Sequence, residues 1–401
     1  MQKQWMTMIA TFSLLTCAVR AQQIVRVDAA SSCTTGGACS GCGTTWATAY
    51  QDLKEAIDCA PAPAQVWVAA GTYSVMQTIS LRDDVAVYGG FNKSETTASQ
   101  SDSTANPTIV DGNGVTPCFR GVGNASSALL RGLKIRRGYA DAWFEGRGLT
   151  LINSNATIVN CVFENNFTPV AGAAAVIDRW GAPALVNCVF RNNTHRYGPN
   201  GGLTLGEGND ILAAGAVFIG FGTTPTLTNC LFDGNHADEG GAVFVEENAS
   251  PRFVNCTFVN NKATWVGGGA MSISWRAEIR NSIFWNNEAA GSGSQIFDLW
   301  GGPIVITHSD VQDGWIGQGN LATDPMFKDA VNGDYRIKAT SPCKNSGTDA
   351  VLSVDVGNLD WDTDMTEILP RDLKMCARKN GPVDIGAYEF HPACTPGSGA
   401  N

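Results

Sequence analysis

Polar and apolar residues alternate over short stretches in the middle of the chain, and one such stretch recurs five times. It reads Asn, Cys or Ser, an aliphatic residue or Thr, then Phe, and it ends in Asn at residues 160–166, 187–193, 229–235, 255–261 and 281–287. The Cys or Ser position advances by 27, 42, 26 and 26 residues, and the step of 42 equals 26 plus an insertion of 16. A repeat of this period predicts a solenoid.

The repeats lack apolar residues at helical spacing, so we expect several short strands in each coil. Parallel coils place each repeat position above its equivalent at about 4.8 Å. Cys and Phe then form inward-facing ladders, while Asn residues occupy turns, where they tolerate left-handed angles and hydrogen-bond to the next coil. Ser282 takes the fifth Cys position, which favours packing over thiol chemistry. A second register of small residues, such as Gly240-Gly-Ala-Val243, opens a further strand. The sequence therefore predicts an all-β parallel β-helix.

The two ends of a solenoid need caps. Apolar residues from Trp46 to Ala60 follow helical spacing and predict an amphipathic capping helix, with Thr44 or Thr45 as its N-cap. From about Leu321 the repeat gives way to an Asp- and Pro-rich segment, which we interpret as an irregular C-terminal cap. The predicted organisation is a signal peptide (1–21), a Cys-rich segment with the capping helix (22–65), the β-helix (66–320) and the C-terminal cap (321–401).

The first 21 residues have the pattern of a signal peptide. Lys3 gives a positive start, residues 6–19 are apolar, and Val19-Arg-Ala21 precedes the expected cleavage. No later stretch reaches the roughly 20 apolar residues that span a bilayer. The net charge of −10 argues against a nucleic-acid partner. We expect a secreted, extracellular or cell-surface protein that is a monomer and has no membrane span.

Twelve cysteines follow the signal peptide, and export permits disulfides. Eight lie outside the ladder and are disulfide candidates: Cys33, Cys39, Cys42, Cys59, Cys118, Cys343, Cys376 and Cys394. The pair Cys39 and Cys42 has CxxC spacing, but no βαβ context indicates redox chemistry and no second pair suits zinc. We therefore interpret this pair as a structural bridge and predict no metal site.

An aromatic track is the first candidate for function. Counting from the Ala of each Gly-Ala step places Trp180, Phe221, Glu247 and Trp275 at one position in successive coils. Sugar residues in an extended glycan repeat at about 5 Å, which is close to the strand spacing. The candidate substrate-binding residues are Trp180, Phe221, Trp275, Arg179, Glu246 and Glu247, with Arg276 beside them. The alternative is an ordinary outer stack beneath a loop.

Two further groups of residues are candidates for chemistry. The insertion after Asn193 holds His195, Arg196, Tyr197, Glu207 and Asp210, either as a binding loop or as a tolerated surface loop. Candidate catalytic residues are His236, Asp238, Glu239 and Lys262, with Lys262 expected one coil from His236. A polysaccharide lyase needs a base and a cation or Arg, and a glycosidase needs two carboxylates. No carboxylate ladder recurs in adjacent coils, so the alternative is a set of solvated side chains at a turn.

Several motifs resemble a known family. Residues 46–53, 66–73 and 87–91 resemble secreted right-handed parallel β-helix proteins of the pectin-lyase-like superfamily. Asp324-Pro-Met-Phe327 and Asp384-Ile-Gly-Ala-Tyr-Glu389 are similar to their choice-of-anchor subset, and the Gly-Gly-Ala-Val and Phe-x-Asn-Asn pairs resemble polymorphic outer-membrane protein repeats. The resemblance implies a right-handed β-helix across nearly all of the chain after the signal peptide. It implies no single activity, because this fold carries many functions.

Three functions remain open from the sequence. The leading hypothesis is a secreted protein that binds polysaccharide or a cell-surface partner along the coil face, without catalysis and without a cofactor. The first alternative is a polysaccharide lyase or other carbohydrate-active enzyme acting on an acidic glycan, for which Ca2+ would be the cofactor. The second alternative is a structural adhesin or wall component.

Overall fold

The computed structural model describes residues 22–34, 39, 41–139, 145–168, 174–195, 214–362 and 364–394. The predicted signal peptide lies outside these residues, as does the insertion from Arg196 onward with its candidates Tyr197, Glu207 and Asp210. Strands dominate the described chain and form four parallel sheets along one stack of coils. No helix among the described residues is long and apolar enough to cross a membrane.

The four sheets are numbered here by their first appearance along the chain. Sheet 1 contains the strands Gln23–Val27, Ala64–Ala69, Val85–Phe91, Leu129–Arg131, Thr157–Val159, Ala184–Val186, Thr226–Thr228, Arg252–Val254, Ala277–Arg280 and Ile304–Thr307. Sheet 2 contains Gly71–Ser74, Thr108–Asp111, Leu133–Arg136, Val162–Glu164, Val189–Arg191, Leu231–Asp233, Thr257–Val259, Ile283–Trp285 and Asp310–Val311. Sheet 3 contains Ile79–Ser80, Phe119–Val122, Leu149–Ile152, Ala175–Asp178, Val217–Ile219, Val243–Val245, Met271–Ile273 and Ile296–Asp298. Sheet 4 contains Phe167–Thr168, Thr194–His195, His236–Ala237, Lys262–Ala263 and Glu288–Ala289.

Each complete coil of the repeat region visits sheets 1, 2, 4 and 3 in that order and then returns to sheet 1. Equivalent repeat positions pair directly between coils: Phe163 with Phe190, Phe190 with Phe232, Phe232 with Phe258, and Phe258 with Phe284. The 16-residue insertion leaves this register intact, since Phe190 and Phe232 flank it. The predicted parallel β-helix and its register are therefore confirmed.

The interior contains the predicted ladders of Phe and Cys. The stacked Phe rings of sheet 2 lie 4.9, 5.0, 4.4 and 4.4 Å apart from the first pair to the last. Cys161, Cys188, Cys230 and Cys256 are fully buried, as is Ser282 in the fifth position. Burial raises the pKa of the Cys161, Cys188 and Cys230 thiols, so these groups stay neutral. The ladder cysteines therefore pack as small apolar residues.

The predicted helix over residues 46–60 is wrong as one continuous element. A 3-10 helix, Trp46–Thr48, begins after Thr45, and an α-helix, Leu53–Cys59, begins after its N-cap Asp52. Tyr50 separates them because its backbone bridges Val27 and Cys33 in extended conformation. This pairing covers the edge of the first strand of sheet 1, which starts at Gln23, ahead of the boundary predicted at residue 66.

Six of the eight candidate cysteines form disulfides, with the pairs Cys33–Cys42, Cys39–Cys59 and Cys376–Cys394. Cys39 and Cys42 therefore do not bond to each other but each joins a different part of the N-terminal segment. Cys118 and Cys343 are free and buried. Cys118 belongs to the apolar interior, where burial raises its thiol pKa to about 12.

The C-terminal part of the chain runs back along the side of the coils, and we call residues 322–362 and 364–394 the lateral segment. It includes the antiparallel pair Phe327–Asp329 and Asp334–Ile337 and two 3-10 helices, Ala330–Asn332 and Asp349–Val351. Its apolar side chains pack against outward-facing residues of sheets 1 and 2, namely Val159, Val186, Leu231, Val259 and Ile283. The segment predicted as an end cap is thus a lateral cover.

Candidate functional site

The aromatic candidates lie at the turns that connect sheet 3 to sheet 1. These turns follow the sheet 3 strands Ala175–Asp178, Val217–Ile219, Val243–Val245 and Met271–Ile273. Trp180 is 68% exposed, Phe221 41% and Trp275 38%. The structure therefore places the three predicted rings on one edge of the β-helix, where they are open to solvent.

A fourth aromatic residue, Trp300, extends this row. It follows the strand Ile296–Asp298 in the next coil and is 58% exposed. The Asp298 carboxylate accepts hydrogen bonds from Gly301 N and Gly302 N and so holds the turn behind the ring. Sequence alignment missed Trp300 because its coil lacks the Gly-Ala step that served as the marker. We call Trp180, Phe221, Trp275 and Trp300 the aromatic edge.

Strand pairing shifts the predicted position of Trp180 by one residue. Ala175 pairs with Val217, so Arg179, rather than Trp180, shares a repeat position with Phe221. Arg179 and Trp180 both have left-handed angles (φ 59° and 60°). The turn is as long as that of Phe221, since Ala184 pairs with Thr226 on its far side. The Trp180 ring nevertheless meets the Phe221 ring edge to face, at a centroid distance of 5.7 Å.

Charged side chains flank the aromatic edge. The Glu246 carboxylate accepts a hydrogen bond from Phe221 N at 2.8 Å, and burial raises its pKa despite this bond. Glu247 is exposed and occupies the turn between Phe221 and Trp275. The Arg276 guanidinium lies 5.8 Å from the Trp275 ring centroid. The edge thus combines apolar ring faces with donors and acceptors of hydrogen bonds.

Two of the candidate catalytic residues, Lys262 and Glu239, bond to neighbouring side chains of the coil stack. Lys262 pairs with His236 in sheet 4, as predicted, but its ammonium group bonds to Glu288 at 2.8 Å. The Glu239 carboxylate is buried and accepts a hydrogen bond from Ser272 Oγ at 2.8 Å. Each of these two charged groups is therefore engaged within the coil stack.

Asp238 lies near His195, which belongs to the preceding coil. The distance between the Asp238 carboxylate and His195 Nδ1 is 3.7 Å, and Thr264 Oγ1 donates to the other Asp238 oxygen at 2.9 Å. Burial lowers the pKa of His195 to about 4, and Asp238 offsets only part of this effect. His195 is therefore neutral at physiological pH.

The two groups of acidic residues in this coil lie at opposite ends of one sheet 3 strand. Asp238 and Glu239 precede Val243–Val245, whereas Glu246 and Glu247 follow it. The two acidic groups therefore lie at different turns of the coil.

Comparison with known proteins agrees with the architecture. A family model described as a right handed beta helix region matches residues 122–311. The protein is a right-handed parallel β-helix. The handedness and the fold implied by the resemblance to pectin-lyase-like proteins are thereby confirmed. No curated protein matches the chain.

Several solved structures align with most of the chain at low sequence identity. A pectate lyase aligns with a TM-score of 0.46 and 10% identity, covering 92% of this chain and 98% of that one. A pectin methylesterase in complex with a hexasaccharide aligns with a TM-score of 0.32 and 11% identity, covering 79% and 99%. The pectin methylesterase PemA from Erwinia chrysanthemi gives a TM-score of 0.32 and 12% identity, covering 79% and 99%.

One long side of the β-helix, formed by sheets 1 and 2, is covered, whereas the turns from sheet 3 to sheet 1 carry exposed rings. The lateral segment covers the side formed by sheets 1 and 2, and the bend between them donates hydrogen bonds to it from Asn187, Asn229, Asn255 and Asn281. The turns from sheet 3 to sheet 1 keep four aromatic rings exposed. An extended ligand can therefore lie along these turns, crossing one coil after another.

Proposed function

We propose that the protein binds an extracellular polysaccharide along the aromatic edge. The observation that carries the proposal is the exposure of Trp180, Phe221, Trp275 and Trp300 in four of five consecutive turns. Contiguous exposed apolar side chains commonly mark interaction surfaces. Exposed aromatic side chains are not needed to form a solvated turn, so the row of rings favours a binding surface.

The chemistry of the edge suits a sugar polymer. Aromatic faces can cover the apolar C–H faces of sugar rings, and Trp contributes an N–H donor at its edge. Arg179, Glu247 and Arg276 are exposed and offer donors and acceptors to hydroxyl or carboxylate groups, and Arg179 also pairs with Asp178 at 3.4 Å. A few polar groups beside an apolar surface are the usual way to fix the orientation of a ligand.

The spacing along the coil stack also suits an extended glycan. Coils repeat at about 4.8 Å, so Trp180 and Trp275, three coils apart, are separated by about 14 Å along the axis. A glycan with a residue length of about 5 Å would place about one sugar on each coil. We therefore expect a ligand of about five sugar residues to span the edge from Trp180 to Trp300.

An extracellular location supports this proposal. The first 21 residues have the signal-peptide pattern, and the described chain holds three disulfides. Disulfides persist mainly in oxidising compartments outside the cytosol. We propose that the polysaccharide is a component of a cell surface or of the surrounding matrix.

The test is a glycan array followed by calorimetric titration with the best ligand. We expect Trp180→Ala and Trp275→Ala each to weaken binding about tenfold, the effect of losing about 1.4 kcal/mol of contact. Trp265→Ala is the matched control, because Trp265 is 63% exposed but precedes the sheet 3 strand Met271–Ile273 rather than following it.

Three results would contradict the proposal. They are an array without any bound glycan, an affinity unchanged in both edge variants, and an equal loss in Trp265→Ala. A structural adhesin predicts cell or matrix association that survives loss of the rings. Unsaturated products from a uronic-acid polymer, with Ca2+ present, would instead indicate a lyase.

A further inference from the structure

A group of three carboxylates lies in the lateral segment, away from the aromatic edge. Single oxygens of Asp355, Asp360 and Glu367 all lie within 4.8 Å of one another. The residues come from one stretch of the lateral segment, in which Asp362 and Asp364 add further negative charge. The three carboxylates would repel each other in the absence of a counter-ion.

Each of the three carboxylates has one buried oxygen without a hydrogen-bond partner. Asp355 is fully buried, and one of its oxygens, Oδ2, accepts from Leu359 N at 2.6 Å. Its other oxygen, Oδ1, is buried without a partner, as are Asp360 Oδ1 and Glu367 Oε1. Buried carboxylate oxygens without donors are unfavourable, and more so when the group is ionised. Burial and the Asp360 carboxylate raise the pKa of both Asp355 and Glu367.

The basic side chain that acts on Asp355, Arg131, donates its hydrogen bonds to backbone oxygens. Arg131 donates hydrogen bonds to the carbonyl oxygens of Gly357 and Asn358, and its guanidinium lies 3.9 Å from the Trp361 ring centroid. The charge of Arg131 offsets only part of the rise in the pKa of Asp355. Among the ion pairs of the described chain, none joins Lys or Arg to these three carboxylates.

We propose that Asp355, Asp360 and Glu367 bind one Ca2+ ion. Ca2+ takes oxygen ligands at about 2.3–2.6 Å, so two of its ligands can be as far as about 5 Å apart. The three oxygens lie within 4.8 Å of one another, which these distances accommodate. Mg2+ demands ligands at about 2.0–2.1 Å in near-ideal octahedral geometry, whereas Ca2+ accepts flexible carboxylate sites. Backbone carbonyls and water would complete the Ca2+ shell.

The ion would fasten the lateral segment to the coils. Leu359, between two of the ligands, packs with Val159 and Val186 of sheet 1. Trp361, directly after Asp360, contacts Tyr88 and Arg131 of the same sheet. Neutralising the carboxylates therefore stabilises the stretch that carries both of these anchoring side chains.

The test uses the full secreted chain, freed of metal with a chelator and then titrated with Ca2+ in a calorimeter. We expect one Ca2+ per chain, and a rise in Tm on the order of 2 °C or more at 100 times the Kd. Terbium provides a local readout, because Trp361 is adjacent to a ligand and would sensitise its luminescence. Asp360→Asn and Glu367→Gln should abolish the binding, the luminescence and the Tm rise.

The control variant is Asp313→Asn, which removes one exposed carboxylate outside the group. It should behave like the wild type in all three measurements. The proposal is wrong if the wild type binds no Ca2+. It is also wrong if Glu367→Gln and Asp360→Asn fold and bind Ca2+ as the wild type does. An equal rise in Tm with Mg2+ at the same concentration would contradict it as well.

Discussion

Two adjacent asparagines follow the sheet 2 strand in four of the five repeats, and they contribute in different ways. The first, at Asn165, Asn192, Asn260 and Asn286, has a left-handed φ of 52° to 56°, and Gly234 replaces it in the remaining repeat. The second is buried in a chain of amide hydrogen bonds through Asn166, Asn193, Asn235, Asn261 and Asn287. Its side chain, and not its backbone angle, is therefore what the fold requires.

Substitution by Gly separates these two roles. In Asn193→Gly, Asn166 loses the acceptor of its backbone and side-chain N–H groups, and Phe163 O loses its donor. We expect a loss of about 3 kcal/mol in the free energy of unfolding, measured with denaturant. Asn192→Gly should change it by less than about 1 kcal/mol, because Gly adopts the same angle. Equal losses in the two variants would contradict this account.

His195 makes the stability of the fold depend on pH. Its pKa is about 4 in the folded protein, against about 6.5 when unfolded, so the unfolded chain binds more protons between these values. The contribution of neutral His195 is complete above pH 6.5 and is lost as the pH falls towards 4, by about 3 kcal/mol. His195→Gln should lack this loss.

The measurement is the wild-type minus variant difference in unfolding free energy at several pH values. The difference is needed because the buried Glu389, whose pKa is raised to about 7, makes a contribution of opposite sign as the pH falls. His391→Gln, a substitution in the lateral segment, is the control and should follow the wild type. A His195→Gln profile parallel to that of the wild type from pH 6.5 to 4 would refute the role of His195.

At the scale of single elements, period and packing could be predicted, but pairing between distant segments could not. The spacing of Cys161, Cys188, Cys230 and Cys256 established the register of sheet 2, because each repeat position lies directly above its equivalent. The helix predicted over 46–60 is interrupted at Tyr50, which pairs with Val27 of the strand Gln23–Val27. This strand carries no repeat signal, so the sequence did not indicate the pairing. Helical periodicity alone does not reveal such tertiary pairing.

The lateral segment offers a test at this scale. Leu369 is buried against Val159 and Val186, whereas its neighbour Ile368 is 49% exposed. Leu369→Ala should lower the free energy of unfolding by about 2–4 kcal/mol and make the segment more susceptible to limited proteolysis. Ile368→Ala should change the free energy of unfolding by less than about 0.5 kcal/mol and should leave the rate of limited proteolysis close to that of the wild type. Similar proteolysis of the two variants would show that Leu369 does not hold the segment.

At the scale of the whole molecule, the repeat predicts the stack of coils but not what covers it. Alignment found Trp180, Phe221 and Trp275 because the Gly-Ala steps mark their coils, and it missed Trp300 where that step is absent. The carboxylates of Asp355, Asp360 and Glu367 lie outside the repeat, so no periodic signal brought them together. Their grouping depends on the path of the lateral segment, which only the three-dimensional structure gives.

The division of the two long sides is the basis of the proposed function. The lateral segment occupies the side of sheets 1 and 2, which leaves the aromatic edge as the side with four exposed rings. A ligand bound there would run parallel to the coil axis. The aromatic edge differs from a pocket because the length of the binding surface increases with the number of coils.

The most direct measurement is a crystal structure of the protein with the oligosaccharide selected by the glycan array. We predict that sugar rings lie against Trp180, Trp275 and Trp300, with the chain parallel to the coil axis and about one sugar per coil. A glycan bound at another surface, such as the turn that carries His236 and Asp238, would contradict the account. So would crystals in which the aromatic edge stays free while the ligand saturates the protein in solution.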